Sequence, residues 1–134
     1  MLSAQDINYW AVLVAAVINM VVGATWYSPM VFGKAWAKLS GQKMEDMKAT
    51  PSYVVTTVAA LVQAWLLAVL VHSLGLITAM HGLTLGLLVW AGFVATTSLG
   101  DTVFGDRPFK LWQLNNGYYL VVLVINSIVL SVWH

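Results

Sequence analysis

The chain has 134 residues, of which 60% are hydrophobic and 8% are charged, with a net charge of +1 and no cysteine. Because soluble domains carry about 25% charged residues, this composition excludes a soluble protein and indicates one membrane domain over residues 1–134. The lack of thiols excludes disulfide exchange and thiolate metal sites, and the small net charge offers no basic surface for nucleic acid.

Four apolar segments are long enough to cross a bilayer as helices, which takes about 20 residues each. They cover about residues 7–27, 53–74, 79–99 and 111–133. None alternates apolar and polar residues as the strands of a membrane barrel do. The expected fold is therefore all-α, an integral membrane four-helix bundle.

The first loop is expected to hold a short helix that lies in the membrane interface. Ser28 and Pro29 suit the start of a helix, and Gly41 suits its end. Apolar residues alternate with lysines over residues 30–39, a pattern typical of headgroup depth. The tripeptide VFG occurs at residues 31–33 and again at 103–105, so two parallel helical hairpins remain an alternative arrangement.

Small residues recur every four positions along the spans and predict packing faces, either within the chain or between subunits. Span three has two such sets, Gly82 with Gly86 and Gly92 with Thr96 and Gly100.

Uncharged polar residues lie inside the spans. The candidates for a polar interior are Asn19, Gln63, Thr96 and Asn126. Hydrogen bonding between helices, about 0.6 kcal/mol per contact, is one interpretation. The other is a path for a small molecule or an ion, because intramembrane polar groups can mark such paths. No acidic or basic residue lies deep in a span, which disfavours proton coupling.

The third loop and the start of span four are expected to form a polar mouth at one end of the bundle. Its candidate residues are Asp101, Asp106, Arg107, Asn115 and Asn116. A solvated loop with local ion pairs and helix capping is the alternative.

An enzyme is not expected, since the histidines are predicted at the opposite end from these aspartates. His72, His81 and His134 lack the spacing of a metal site. No catalytic residue, metal ligand or cofactor is predicted.

Every basic residue lies in the first or the third predicted loop. They are Lys34, Lys38, Lys43, Lys48, Arg107 and Lys110. The positive-inside rule places both loops in the cytoplasm and both termini outside a plasma (inner) membrane.

Two segments resemble the domain-of-unknown-function 1761 family of small four-helix integral membrane proteins. They are GATWYSP at residues 23–29, followed by FGK at 32–34 and a tryptophan at 36, and LNNGY at 114–118. The residues that carry the signature are Trp26, Tyr27, Pro29, Phe32, Gly33 and Trp36. The resemblance covers nearly the whole chain and implies the four-helix topology, but no activity.

The leading functional hypothesis is a homo-oligomeric small transporter or channel with an interior lined by amides and hydroxyls. Its substrate, a small molecule or an ion, is not identified by the sequence. The alternative is a non-catalytic membrane module that binds lipid or a membrane partner through residues 30–39 and the third loop.

Overall fold

The computed structural model of the protein describes residues 7–28, 30–41 and 50–133. Its helices are α1 (Tyr9–Trp26), α2 (Gly33–Ser40), α3 (Thr50–Ser73), α4 (Ala79–Val89), α5 (Thr96–Phe104) and α6 (Phe109–Val132). A π-helical segment, Trp90–Ala95, joins α4 to α5. These residues contain no strand, so the all-α prediction is confirmed. Four residues used in the predictions, Pro29, Lys43, Lys48 and His134, lie outside the described part of the chain.

Within the described residues, four helical segments are long and apolar enough to cross a membrane. They are Tyr9–Trp26, Val54–Ser73, Ala79–Phe104 and Phe109–Val132. By the length and composition of these helices, the chain is a multi-pass membrane protein. The short helix α2 occupies the first loop and packs against α6.

The third span is longer than the sequence indicated, because its helix continues to Phe104 and not to residue 99. The helix continues through Gly100 and ends before Gly105, whose main-chain N–H donates to the carbonyl of Asp101 over 2.8 Å and closes the last turn. Asp101 therefore lies in α5, and only residues 105–108 form the third loop. The second VFG copy falls at the end of α5, whereas the first forms the turn before α2, so the two halves of the chain differ here.

Helix α6 occupies the centre of the fold, where it contacts α1, α3, α4 and α5. Its approach to α4 is the closest one and depends on two glycines. A Cβ atom added at Gly82 would lie 2.5 Å from the carbonyl oxygen of Ser127, and one at Gly86 would lie 2.8 Å from the Cα of Val124. Backbones in such close contact leave α1 and α3 to pack on another side of α6, and the polar cavity described below lies among these three helices.

The π-helical segment changes which face of the third span points toward α6. A π turn holds one more residue than an α turn, so it rotates the helix that follows it. Trp90 then donates its indole N–H to the carbonyl of Asn116 over 3.0 Å. The second small-residue set faces away, since a Cβ added at Gly92 or Gly100 would meet nothing within 4 Å.

Candidate functional site

A chain of hydrogen bonds crosses the space between α1, α3 and α6. Tyr118 on α6 donates its hydroxyl proton to Oδ1 of Asn19 on α1. The Nδ2 atom of Asn19 donates to Oε1 of Gln63 on α3 over 3.1 Å. All donors point in one direction, from Tyr118 through Asn19 to Gln63. The chain ends at Nε2 of Gln63, which donates to none of the described residues.

These side chains line a cavity of about 330 Å³. Polar groups in its wall come from Asn19, Tyr27, Thr56, Gln63, Tyr118 and Tyr119. Small or apolar side chains complete the wall, those of Val55, Ala59, Ala60 and Val122. The volume lies at the lower end of the range for small-molecule sites, about 300–1,000 Å³. The wall offers amides and hydroxyls but no charge, and so suits an uncharged polar ligand.

A second cavity of about 430 Å³ lies at the loop end of the bundle, and one hydrogen bond connects the walls of the two cavities. The hydroxyl of Tyr27, in the wall of the inner cavity, donates to Oδ1 of Asn115 over 2.6 Å. Asn115 lines the second cavity together with Asp106 and Arg107. Burial, with smaller contributions from Tyr119 and Tyr118, raises the pKa of Tyr27 above its ordinary value, so this phenol remains a donor.

The signature residues assemble around the turn from α1 to α2. Trp26 donates its indole N–H to the carbonyl of Leu114 over 3.0 Å, and its ring centre lies 4.7 Å from that of Phe32. Gly33 is buried, and its N–H donates to the carbonyl of Ser28 over 2.8 Å. The ring of Trp36 lies 6.2 Å from Tyr27, edge to face. These contacts fix Tyr27 at the boundary between the two cavities.

The predicted interior residues do not all meet. Asn19 and Gln63 share the inner cavity. The side chain of Thr96 is exposed at the surface, because the π-helical segment rotates it outward. Its hydroxyl donates to the carbonyl of Gly92 over 2.9 Å. Asn126 is 0% exposed, and its amide has no hydrogen-bond partner within the described residues. The hydroxyl of Ser127 beside it is equally unpartnered there.

The predicted mouth also separates into parts. Asp106, Arg107 and Asn115 share the loop-end cavity, whereas Asp101 is exposed on α5 and is not part of that wall. Asn116 is buried between α5 and α6, where its Oδ1 accepts from the hydroxyl of Ser98 over 2.9 Å. Adjacent residues on a helix point about 100° apart, so Asn115 and Asn116 serve different interfaces.

The hydrogen bonds that aromatic side chains make across the bundle could not be predicted from the sequence. Trp26 and Tyr27 are signature residues with no contact assigned by the sequence, and both donate to α6. Trp112 donates to the hydroxyl of Ser98 on α5. In the sequence, Tyr118 stands out only as part of the LNNGY segment. The signal available for it was position: it follows Asn115 by three residues and so lies one turn along α6 on a similar face.

The two described histidines, His72 and His81, are exposed near the turn that joins α3 to α4. Within residues 7–28, 30–41 and 50–133, no group of three or more histidine, aspartate or glutamate side chains could hold a metal ion.

In a comparison with protein families, the model of a family described as a protein of unknown function, DUF1761, matches residues 10–131. Comparisons with curated proteins and with solved structures found no match.

Proposed function

The chain belongs to the DUF1761 family, and we propose that it is a small transporter that takes an uncharged substrate between α1, α3 and α6. The resemblance inferred from the sequence is thereby confirmed, but the family brings no activity with it. The observation that supports transport is the Tyr118–Asn19–Gln63 hydrogen-bond chain in the wall of a cavity among three membrane-spanning helices.

The composition of the wall defines the substrate class. A charged group would be costly at this depth without a counter-charge, and the cavity wall has no acidic or basic side chain. Two donors in the wall remain unused by the described residues, Nε2 of Gln63 and the hydroxyl of Tyr119. A neutral solute that offers acceptor oxygens matches both.

The bond between Tyr27 and Asn115 provides a barrier of the kind that a transporter needs. It separates the inner cavity from the charged loop-end cavity, and a single hydrogen bond contributes only about 1 kcal/mol net. Breaking it costs little compared with a rearrangement of packed helices. Access to the inner cavity through this end is therefore the proposed route.

Self-association and orientation complete the proposal. Gly92, Thr96 and Gly100 form an outward face of small residues, which supports close packing against a second copy of the chain. The basic residues near the loop-end cavity favour the cytoplasmic side for that cavity. The proposed protein is thus a homo-oligomer in a plasma (inner) membrane, with its loop-end cavity facing the cytoplasm.

Solute flux into proteoliposomes tests the proposal. Stopped-flow light scattering would compare urea and glycerol, which are uncharged, with zwitterionic glycine. We expect both uncharged solutes to enter faster than into protein-free liposomes. Gln63→Leu should slow that entry about tenfold, the effect of one lost hydrogen bond to the solute.

Gln113→Leu is the matched control, because Gln113 is exposed on α6 and is not part of the cavity wall. Its flux should equal that of the wild type. Entry no faster than into empty liposomes for all three solutes would overturn the transport proposal. So would a Gln63→Leu variant that changes only the oligomeric state, since the amide would then act in assembly.

A further inference from the structure

The loop-end cavity combines opposite charges with an apolar wall. Asp106 and Arg107 come from the turn between α5 and α6, and Trp36 and Leu39 come from α2. Asn115 completes the polar part of the wall. This cavity lies on the proposed route to the inner cavity, but its charged residues are not part of the Tyr118–Asn19–Gln63 hydrogen-bond chain.

The wall carries two charges of opposite sign, from Asp106 and Arg107. Asp106 and Arg107 are adjacent in sequence, but neither forms an ion pair with any residue that the structure describes. Asp106 has a φ of 52°, a left-handed conformation that aspartate tolerates better than most side chains. Asn115 uses Oδ1 to accept from Tyr27, so its Nδ2 remains available as a donor. The cavity therefore offers a cation, an anion and an amide donor to one ligand.

The surface around the cavity indicates that lipid covers it. Phe104, at the end of α5, is 94% exposed, and Met30, in the turn before α2, is 95% exposed. Large apolar side chains with this exposure are unfavourable in water but suit the membrane interface. Trp36 between Lys34 and Lys38 fits the same depth, with an apolar ring and charged neighbours at headgroup level.

We propose that this cavity binds the headgroup of phosphatidylethanolamine. Arg107 and Nδ2 of Asn115 bind the phosphate, because guanidinium and amide donors match its oxygens. Asp106 binds the primary ammonium group, and the side chains of Trp36 and Leu39 on α2 cover the glycerol region. Phosphatidylglycerol has no cation for Asp106. Phosphatidylcholine has a quaternary amine that cannot donate a hydrogen bond to the carboxylate.

Native mass spectrometry of the purified full chain tests this assignment. The protein would be equilibrated in detergent with equal amounts of the three phospholipids, all with the same acyl chains. We expect phosphatidylethanolamine to be retained about tenfold over the other two, as charge-assisted hydrogen bonds of this kind provide. Arg107→Gln should abolish the preference. Asp106→Asn should lower phosphatidylethanolamine retention and raise that of phosphatidylglycerol, because a repulsive charge is removed.

Two variants that neutralise a charge by the same kind of substitution serve as controls. Lys110→Gln and Asp101→Asn each remove an exposed charge near this end of the bundle but outside the cavity wall. Both should keep the preference of the wild type. Equal retention of all three lipids, or equal effects of the control and cavity variants, would overturn the site. Thermal unfolding of each variant shows that any loss is one of binding and not of the fold.

A competition experiment with a soluble headgroup distinguishes binding of the membrane lipid from binding of its headgroup alone. Glycerophosphoethanolamine, which carries the same charges without acyl chains, should not displace the bound lipid at equal concentration. Displacement at that concentration would overturn the assignment to a membrane lipid. Lipid retention is independent of solute flux, so failure of the transport proposal leaves this site intact, and the reverse also holds.

Discussion

Two asparagines on α6 show how differently the same side chain can act in an apolar environment. Asn116 is 2% exposed and has partners for both ends of its amide, Ser98 for Oδ1 and the carbonyl of Trp112 for Nδ2. Asn126 is equally buried but has no partner in the described residues. A satisfied buried amide stabilises the fold, whereas an unsatisfied one carries its full desolvation cost.

Leucine substitutions should therefore have opposite outcomes. Asn116→Leu removes both bonds of the amide, the one from Ser98 and the one to the carbonyl of Trp112, and should lower the free energy of unfolding by about 1–3 kcal/mol. Asn126→Leu removes an unpaired amide and should leave that free energy unchanged or raise it. Denaturant titration in detergent measures both. An equal loss for the two variants would show that Asn126 has a partner, such as a buried water.

The contribution of Tyr27 to the stability of the fold depends on pH. Its pKa is raised by burial, so the folded state holds the phenolic proton more tightly than the unfolded state does. The Tyr27 contribution to stability is complete below the ordinary tyrosine pKa of about 10 and is lost as pH rises through the folded-state value. Tyr27→Phe keeps the ring but loses the bond to Asn115, about 1 kcal/mol.

The stability gap between wild type and Tyr27→Phe should thus be constant from about pH 6 to pH 9 and narrow above about pH 10. Thermal unfolding across this range measures the gap. A gap that already closes near neutral pH would contradict a raised pKa for this phenol.

The helices themselves could largely be predicted from the sequence, whereas the register within the third span could not. Hydropathy alone indicated four long apolar helices, and it placed Asn19 and Gln63 at similar depths. The π-helical segment has no comparable signal, because WAGFVA is compatible with an ordinary α turn. Its extra residue is the reason that Gly82 faces α6 while Thr96 faces outward. Sequence periodicity assumes a constant 3.6 residues per turn and misses such a shift.

Alanine substitutions distinguish the two glycine sets of the third span. Gly82→Ala places a Cβ 2.5 Å from the carbonyl oxygen of Ser127 and should destabilise the protein by about 1–3 kcal/mol. Within a single chain, the Cβ of Gly100→Ala points into open space, so in the detergent-solubilised monomer this variant should be neutral or stabilise by up to about 1 kcal/mol through helix propensity. Unfolding in detergent measures both variants. Similar losses for the two would contradict the register described above.

For the whole molecule, the central position of α6 determines where the polar groups can meet. One side of α6 is occupied by α4 through backbone contact, and the inner cavity forms where α6 meets α1 and α3. The order of helix contacts could not be predicted, since hydropathy reports depth in the membrane but not which helices are neighbours. Asn19 and Gln63 could be selected for their depth. Their pairing with Tyr118, and the closure by Tyr27, required the packing.

Transport through the inner cavity requires that water enter this cavity from the loop end, past the hydrogen bond between Tyr27 and Asn115. The chain has no cysteine, so a single introduced thiol reports directly. Ala60→Cys puts a thiol in the cavity wall, whereas Leu61→Cys puts one on the exposed apolar surface of α3 at the same depth. The reagent is an uncharged, hydrophilic methanethiosulfonate that crosses bilayers poorly, added to vesicles of either orientation, with modification followed by mass spectrometry.

We expect Ala60→Cys to be modified from the side of the first and third loops, and faster when it is combined with Tyr27→Phe. We expect no modification of Leu61→Cys from either side. An Ala60→Cys thiol that stays as inert as the Leu61→Cys thiol, from both sides and in both backgrounds, would show that water does not reach the inner cavity.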